Sequence, residues 1–435
     1  MDSRHWESSQ EYIDLIKKWG FLEKDIPVYA ATSTMSKDYL ELFIRQVLVY
    51  PLVIAHKFKI ESKALIEEES RVWVAYLFKR YASTGISYND IIRFVDWALR
   101  CFCKNLGFAL PFNTQVGTIP FQTINAQCHP LDSGEFCILI DPSCITAIES
   151  FSNAIFSSRI GNCTTASELS TETIKVGEKL SEIVNRYTRS ELAPSIEFRG
   201  NIDQNHAFGE CAVALTIHSL FFVLLHEYGH VANKHMAMLD NELSTLKSPA
   251  ESDFIFYRIA EGTDINVLFK NTTQEYEADS WAVFYMHKII TSLDPNKNQN
   301  TSKIALCSPI LFLGLIQIVE ESYLLQKKIS FDAHPPASER LTTTDMVLAI
   351  LGEGWTNNER EFVGTFICSA VRKNLSEAQS KGSSIMTSTS SMWAIFDFVR
   401  TLKKDVLIPA FLMSALEQWK NPDYELIKKT IEESM

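Results

Sequence analysis

No stretch of this sequence is a run of lysine or arginine, and its 435 residues carry a formal net charge of -12. Nucleic-acid binding works through a basic face that follows phosphates, so the acidic balance excludes it as the main function. No pair of the nine cysteines has CxxC spacing, the count is odd, and several lie in apolar runs such as Phe136-Cys137-Ile138-Leu139-Ile140. They read as small buried hydrophobes in a reducing compartment, which excludes a disulfide framework or a cysteine zinc site. The start, Met1-Asp2-Ser3-Arg4-His5-Trp6-Glu7, lacks the apolar core of a secretory signal. The two most apolar stretches, 211–225 and 304–318, are interrupted by His218 and Pro309. Both fall short of the ~18 consecutive apolar residues of a spanning helix. They read as buried core helices, and the expectation is a cytoplasmic protein with no stable membrane insertion. There is no internal repeat.

What the sequence does contain is helical periodicity. Glu11–Trp19, Lys37–Phe58, Ser62–Tyr81 and Tyr88–Lys104 carry apolar residues at three- and four-residue spacing, several with Ser or Asn in capping positions. From about residue 110 the texture changes. Thr118–Asn125 and Glu135–Ile140 are short, rich in β-branched and aromatic residues and bounded by turn formers, so they read as strands. Asp141-Pro142 opens a helix to about 157. Helix returns over 172–187, a short strand is possible at Ser195–Arg199, and one long helix covers about 210–237. Residues 238–272 read as irregular. Further helices are expected over 273–291 and 303–326, after Pro335-Pro336, and through 356–434 apart from the Ser-rich stretch Ser380–Ser391. The fold class is therefore mainly α with a small β-sheet (α+β). Three regions are expected: an N-terminal helical region (1–105), a central domain (106–345) and a C-terminal helical region (346–435).

The central region carries the chemistry. In His226-Glu227-Tyr228-Gly229-His230 the two histidines stand four residues apart, on one helix face. They can present two imidazoles to one ion, while Glu227 can reach a water on that ion. With 10 His and 53 acidic residues, a pattern of this kind is expected by chance roughly 0.03 times in the chain. By itself it fits equally a buried helix with two satisfied histidines, as the preceding Phe221–Leu225 allows.

A third ligand decides between the two. A His six residues past the second, with a Gly three past it, would complete one known pattern, but those positions hold Met236 and Asn233. His235 is one position off and is expected to face away. The other common solution is a Glu from a later helix. Glu275-Tyr276-Glu277-Ala278-Asp279 supplies Glu275 as a ligand, with Asp279 on the same face to accept the outer ring N–H of a ligand His. Ala278 keeps the contact between the helices close. The competing explanation is that Thr272-Thr273-Gln274-Glu275 is a helix-capping box and Asp279 a solvated position.

HEYGH followed by EYEADSWA resembles the gluzincin metallopeptidases of the HtpX, Oma and CAAX-prenyl-protease kind. These also carry a later His-Pro-Pro with an Arg six residues beyond the His, matched here by His334-Pro335-Pro336 and Arg340. The resemblance covers roughly 205–345. It implies a zincin-like metallopeptidase core binding one Zn2+ through His226, His230 and Glu275, with Glu227 as general base and acid. It places Asp279 and Arg340 behind the ligands and His334 at the site. A guanidinium at 340 can pair with Glu275 or Asp279 in bidentate fashion, and His334 can assist an oxyanion. Otherwise Pro335-Pro336 merely starts a helix and Arg340 is a surface charge.

In being a cytoplasmic HExxH protein the chain also resembles the Lit-type phage-exclusion peptidase. The expected activity is zinc-dependent endopeptidase cleavage of a cytoplasmic protein or peptide, in phage defence or protein quality control. The substrate would add to an edge strand, Thr118–Asn125 or Glu135–Ile140. Two alternatives stand beside it. The zinc could hold together a structural or interaction protein. Or the protease could be gated by a regulatory protein partner, with 238–272 as its lid.

Overall fold

The computed structural model describes residues 32–33, 36–57, 63–107, 110–111, 114–118, 126–156, 206–235, 265–293, 308–318 and 335–351, apart from a few single positions, together with scattered positions between 165 and 179 and residue 305. The described positions of the expected helix 172–187 are helical as far as residue 179, and the expectations over 11–19, 180–187, 195–199, 319–326 and 352–435 lie outside the described residues.

The first helices among the described residues are α1 (Lys37–Lys57), α2 (Lys63–Ser83) and α3 (Tyr88–Asn105). The sequence places all three to within two residues. The start of α3 is set locally. The Ser87 hydroxyl accepts from the Asp90 N–H at 3.1 Å, and the Asp90 carboxylate accepts from the Ser87 N–H at 3.0 Å, a reciprocal cap. A short ribbon, β1 (Thr32–Ser33) with β2 (Ile86–Ser87), lies just before that cap.

Among the described residues the sheet has three strands: β3 (Thr114–Thr118), β4 (Ala126–Pro130) and β5 (Phe136–Ile140), in the order β3-β5-β4. β3 runs parallel to β5, and β4 runs antiparallel to it. Glu135–Ile140, expected as a candidate edge, is thus the central strand, and Cys137 to Ile140 are buried. A strand buried on both faces reads as an unbroken apolar run, as this one does. Of the other expected strand, Thr118–Asn125, only Thr118 lies in a strand, and 119–125 fall outside the described residues. Gly134, at φ 82°, makes the turn from β4 to β5.

After β5 the Asp141 carboxylate accepts from the Ser143 N–H at 2.7 Å and caps α4 (Pro142–Phe156), with proline in the first helical position. The long helix α5 (His206–Ala232) is apolar on every side and is packed on every side, by α1, α3, α4, α6 and strands β4 and β5. Within it Cys211–Ala232 is long and apolar enough to cross a membrane, yet its most apolar 18 residues are all buried inside the protein. Each of Phe221, Phe222, Leu224 and Leu225 is fully buried, worth about 1.5–3 kcal/mol apiece relative to exposure.

α6 runs Ile265–Leu293, α7 Ser308–Ile318 and α8 Ala337–Ile350. α6 starts eight residues earlier than expected. Thr272 and Glu275 are therefore interior to a helix, and the capping-box explanation of Glu275 fails. The result is mostly helical with a small mixed sheet. Most buried apolar residues of α1 to α8 and the sheet form one hydrophobic cluster.

Candidate metal centre

Two helices build the site, and glycine lets them meet. A Cβ placed on Gly229 would stand 3.1 Å from the Cα and 3.3 Å from the carbonyl oxygen of Ala278. Residues 229 and 278 are thus the crossing point of α5 and α6, as the small side chain of Ala278 suggests. On α5 the flanking His226 and His230 face α6. On α6 the i, i+4 pair Glu275 and Asp279 faces back.

The three expected ligand residues come together. His226 Nε2 lies 3.1 Å from His230 Nε2 and 3.4 Å from Glu275 Oε2, and His230 Nε2 lies 3.4 Å from Glu275 Oε1. An ion with tetrahedral bonds of about 2.0–2.2 Å separates its ligand atoms by about 3.3–3.6 Å. The triangle is close to that size. All three residues are buried, and among the described residues this is the one group of His, Cys, Asp or Glu side chains able to hold a metal ion. The charge balance agrees. Among the described residues Glu227, Glu275 and Asp279 are buried with Arg340, so three carboxylates face one guanidinium, a set that a divalent cation would bring to neutrality.

Behind the ligands stands a second layer. Arg340 Nε and Nη2 donate to the two oxygens of Asp279, each at 2.8 Å, the expected bidentate pair, and Nη1 lies 3.4 Å from Glu275 Oε2. Arg340 is thus a buried partner, not a surface charge. Asp279 Oδ1 also lies 2.8 Å from His226 Nδ1, although the ring N–H is not aimed squarely at it. We read this contact as an electrostatic one that holds the outer proton on Nδ1.

Two histidines of one helix show what the carboxylates do. His218, two turns before His226, donates to the Ala214 carbonyl at 2.6 Å and meets the Tyr50 hydroxyl. Burial pushes its pKa down to about 4, against the opposing hydrogen bond to Ala214. It is a satisfied core histidine. Burial also works against charge on His226, but Asp279 and Glu275 outweigh it and raise that ring to about 10. Burial raises the Glu227 carboxyl above the usual range, against the opposing pull of the two histidines. For Asp279 burial acts upward, but Arg340 and His226 prevail and hold it low.

His235 lies off the ligand triangle, as expected, but it is not idle. Helix α5 ends at Ala232, the chain turns, and His235 folds back, 4% exposed, with Nδ1 2.9 Å from His230 Nδ1. Its Nε2 lies 2.9 Å from Glu277 Oε2. A pattern that extends the helix past Ala232 cannot find this contact.

The outer face of the motif is anchored as well. The Tyr228 hydroxyl donates to Asp96 Oδ1, and Arg100 donates to Asp96 Oδ2 at 2.8 Å. Arg100 also donates to the Thr114 carbonyl, and Arg93 to the Val116 carbonyl at 3.1 Å. The middle residue of HEYGH is thereby tied through α3 to strand β3, a link with no signature in local spacing. On the other edge, β4 runs beside α5, close enough that the Glu227 charge adds to burial in raising the Cys128 thiol.

Tyr276, the aromatic of EYEAD, donates its hydroxyl to Glu339 on α8 at 2.8 Å. His334 lies outside the described residues, one position before the buried Pro335.

Residues 174–350, about two-fifths of the chain, match the family model for peptidase U49. This is the family of Lit-like peptidases, and the match supports a peptidase. It takes in α5, α6 and α8 and hence every residue of the buried cluster. No curated protein matches the chain, and no solved structure does.

Proposed function

We propose that the chain is a zinc-dependent endopeptidase whose metal is held by His226, His230 and Glu275. The observation that carries this reading is the buried triangle of ligand atoms with Glu227 immediately after its first member. Two imidazoles and a carboxylate suit zinc, and three protein ligands leave a position open. Bound there, zinc would lower the pKa of a water to about 7 and polarise a substrate carbonyl.

The chain's own residues do the rest. Glu227 takes the proton of the attacking water and delivers it to the leaving amine. Burial raises its carboxyl, which suits a group that must accept and return a proton near neutrality. Asp279 and Arg340 fix the ring of His226 and the carboxylate of Glu275. His334, next to Pro335, is proposed to assist the developing oxyanion.

The substrate is proposed to lie extended along β4 (Ala126–Pro130). The Thr114 and Val116 carbonyls of β3 are taken by Arg100 and Arg93, whereas β4 is the other edge of the sheet and borders α5. A cytoplasmic protein or peptide substrate, a role in phage defence or protein quality control, and a regulatory protein partner belong to the same proposal. They rest on the likeness to Lit-type peptidases. A purely structural zinc is usually closed by four protein ligands and has no use for Glu227.

The test is a digest of an unfolded-protein substrate such as reduced casein by wild type and by Glu227→Gln. Cleavage should require metal and fall by about 10²–10⁴-fold in the variant, the usual contribution of a general base. Undiminished cleavage by Glu227→Gln contradicts the assignment.

A further inference from the structure

We propose that His235 and Glu277 form a relay that positions His230 as a metal ligand. The inference rests on the zinc reading of the site and adds two residues to it.

Proton bookkeeping carries the argument. His230 Nδ1 and His235 Nδ1 are 2.9 Å apart, so one of them carries the proton between them and the other accepts. His235 Nε2 is 2.9 Å from a carboxylate oxygen of Glu277. A carboxylate only accepts, so that nitrogen must carry a proton. In the neutral ring Nδ1 of His235 is then the acceptor, and the shared proton sits on His230 Nδ1. This leaves the lone pair of His230 on Nε2, the atom 3.4 Å from Glu275 and 3.1 Å from His226 Nε2. The opposite assignment would set a bare His235 nitrogen against the Glu277 carboxylate. It would also put a proton on His230 Nε2, at the centre of the ligand triangle.

The same logic runs through the other ligand. Asp279 holds the proton of His226 on Nδ1, which leaves Nε2 free. Each ligand histidine thus has a carboxylate at its outer end. His226 reaches Asp279 directly, while His230 reaches Glu277 through one further imidazole. Neither His235 nitrogen is available as a ligand, since both are engaged on the far side of His230. Orientation and basicity of a ligand imidazole depend on such partners, whose loss typically costs about 10–100-fold in metal affinity.

The test is zinc affinity by chelator competition on the full chain, with the Co(II) spectrum as a second readout. His235→Leu should weaken zinc by about 10–100-fold and shift the cobalt bands. His235→Asn, whose side-chain oxygen can stand where Nδ1 stood, should recover most of that loss. Glu277→Ala should weaken binding several-fold. Glu277 is 55% exposed, so this variant keeps its fold even if the His235 variants do not. Adding Glu277→Ala to His235→Leu should change nothing further. The relay is overturned if both single variants bind zinc as tightly as wild type, or if His235→Asn binds as weakly as His235→Leu. Absence of zinc from the wild type would instead overturn the reading of the site itself.

Discussion

Gly229 and Ala278 meet backbone to backbone, and the ligand residues are brought into one group by that contact. In an ordinary helix interior Gly→Ala gains about 1 kcal/mol. Here the new Cβ would meet the Cα of Ala278 at 3.1 Å and its carbonyl oxygen at 3.3 Å, backbone atoms that cannot rotate away. Overpacking of this kind costs about 1–3 kcal/mol, which exceeds the gain. Gly229→Ala should lower stability in denaturant unfolding, and Gly229→Val should lower it more. A Gly229→Ala protein more stable than wild type would show that the helices can part.

Asp279 and Arg340 make the second prediction. Arg340→Ala leaves a fully buried carboxylate without its bidentate partner, a change that costs about 3–5 kcal/mol. Asp279→Asn should weaken zinc about 10–100-fold through His226. Measured by unfolding, the combination Asp279→Asn with Arg340→Ala should cost less than the sum of its parts. Strict additivity would mean that the two residues act independently.

Tyr228 is the motif position that points away from the ligands. Tyr228→Phe removes a buried hydroxyl that donates to Asp96 and should cost about 1–3 kcal/mol. Zinc stoichiometry should be unchanged, because the ligands lie on the opposite face. Loss of zinc without loss of stability would contradict the division of faces.

Glu149 on α4 gives a pH signature. It is 3% exposed, and burial raises its carboxyl well above the usual range, against the hydrogen bond from Tyr39. A carboxyl raised on folding contributes stability that is complete below its unfolded pKa near 4.3 and is lost as pH rises toward its folded value. Glu149→Gln has no such term. The stability of this variant relative to wild type should therefore grow between pH 4 and pH 7, by at most about 1.4 kcal/mol per unit. A constant difference would mean that Glu149 is ionised within the fold.

The parts of the site legible in sequence are those with helical spacing. His226 and His230, and Glu275 and Asp279, are four apart, and four apart on a helix means one face. His235 escaped because α5 stops at Ala232 and the chain doubles back. Asp96 escaped because 132 residues separate it from Tyr228. In the sheet, Phe136–Ile140 is apolar enough to declare itself. Ala-Gln-Cys-His-Pro at 126–130 has little strand propensity and is held as a strand by its pairing with β5, while Thr-Gln-Val-Gly-Thr at 114–118 has β-branched Thr and Val but is short and broken by Gly117. Which strand is central is a matter of topology, so the edge could not be read from residues 135–140 themselves.

Zinc content of the purified chain tests the central claim most directly. Wild type and Glu227→Gln should each hold about one zinc per chain, the complement of a single three-ligand site, while His226→Ala and Glu275→Ala hold almost none. A wild-type protein without zinc, or a Glu275→Ala protein that keeps a full equivalent, would contradict the account.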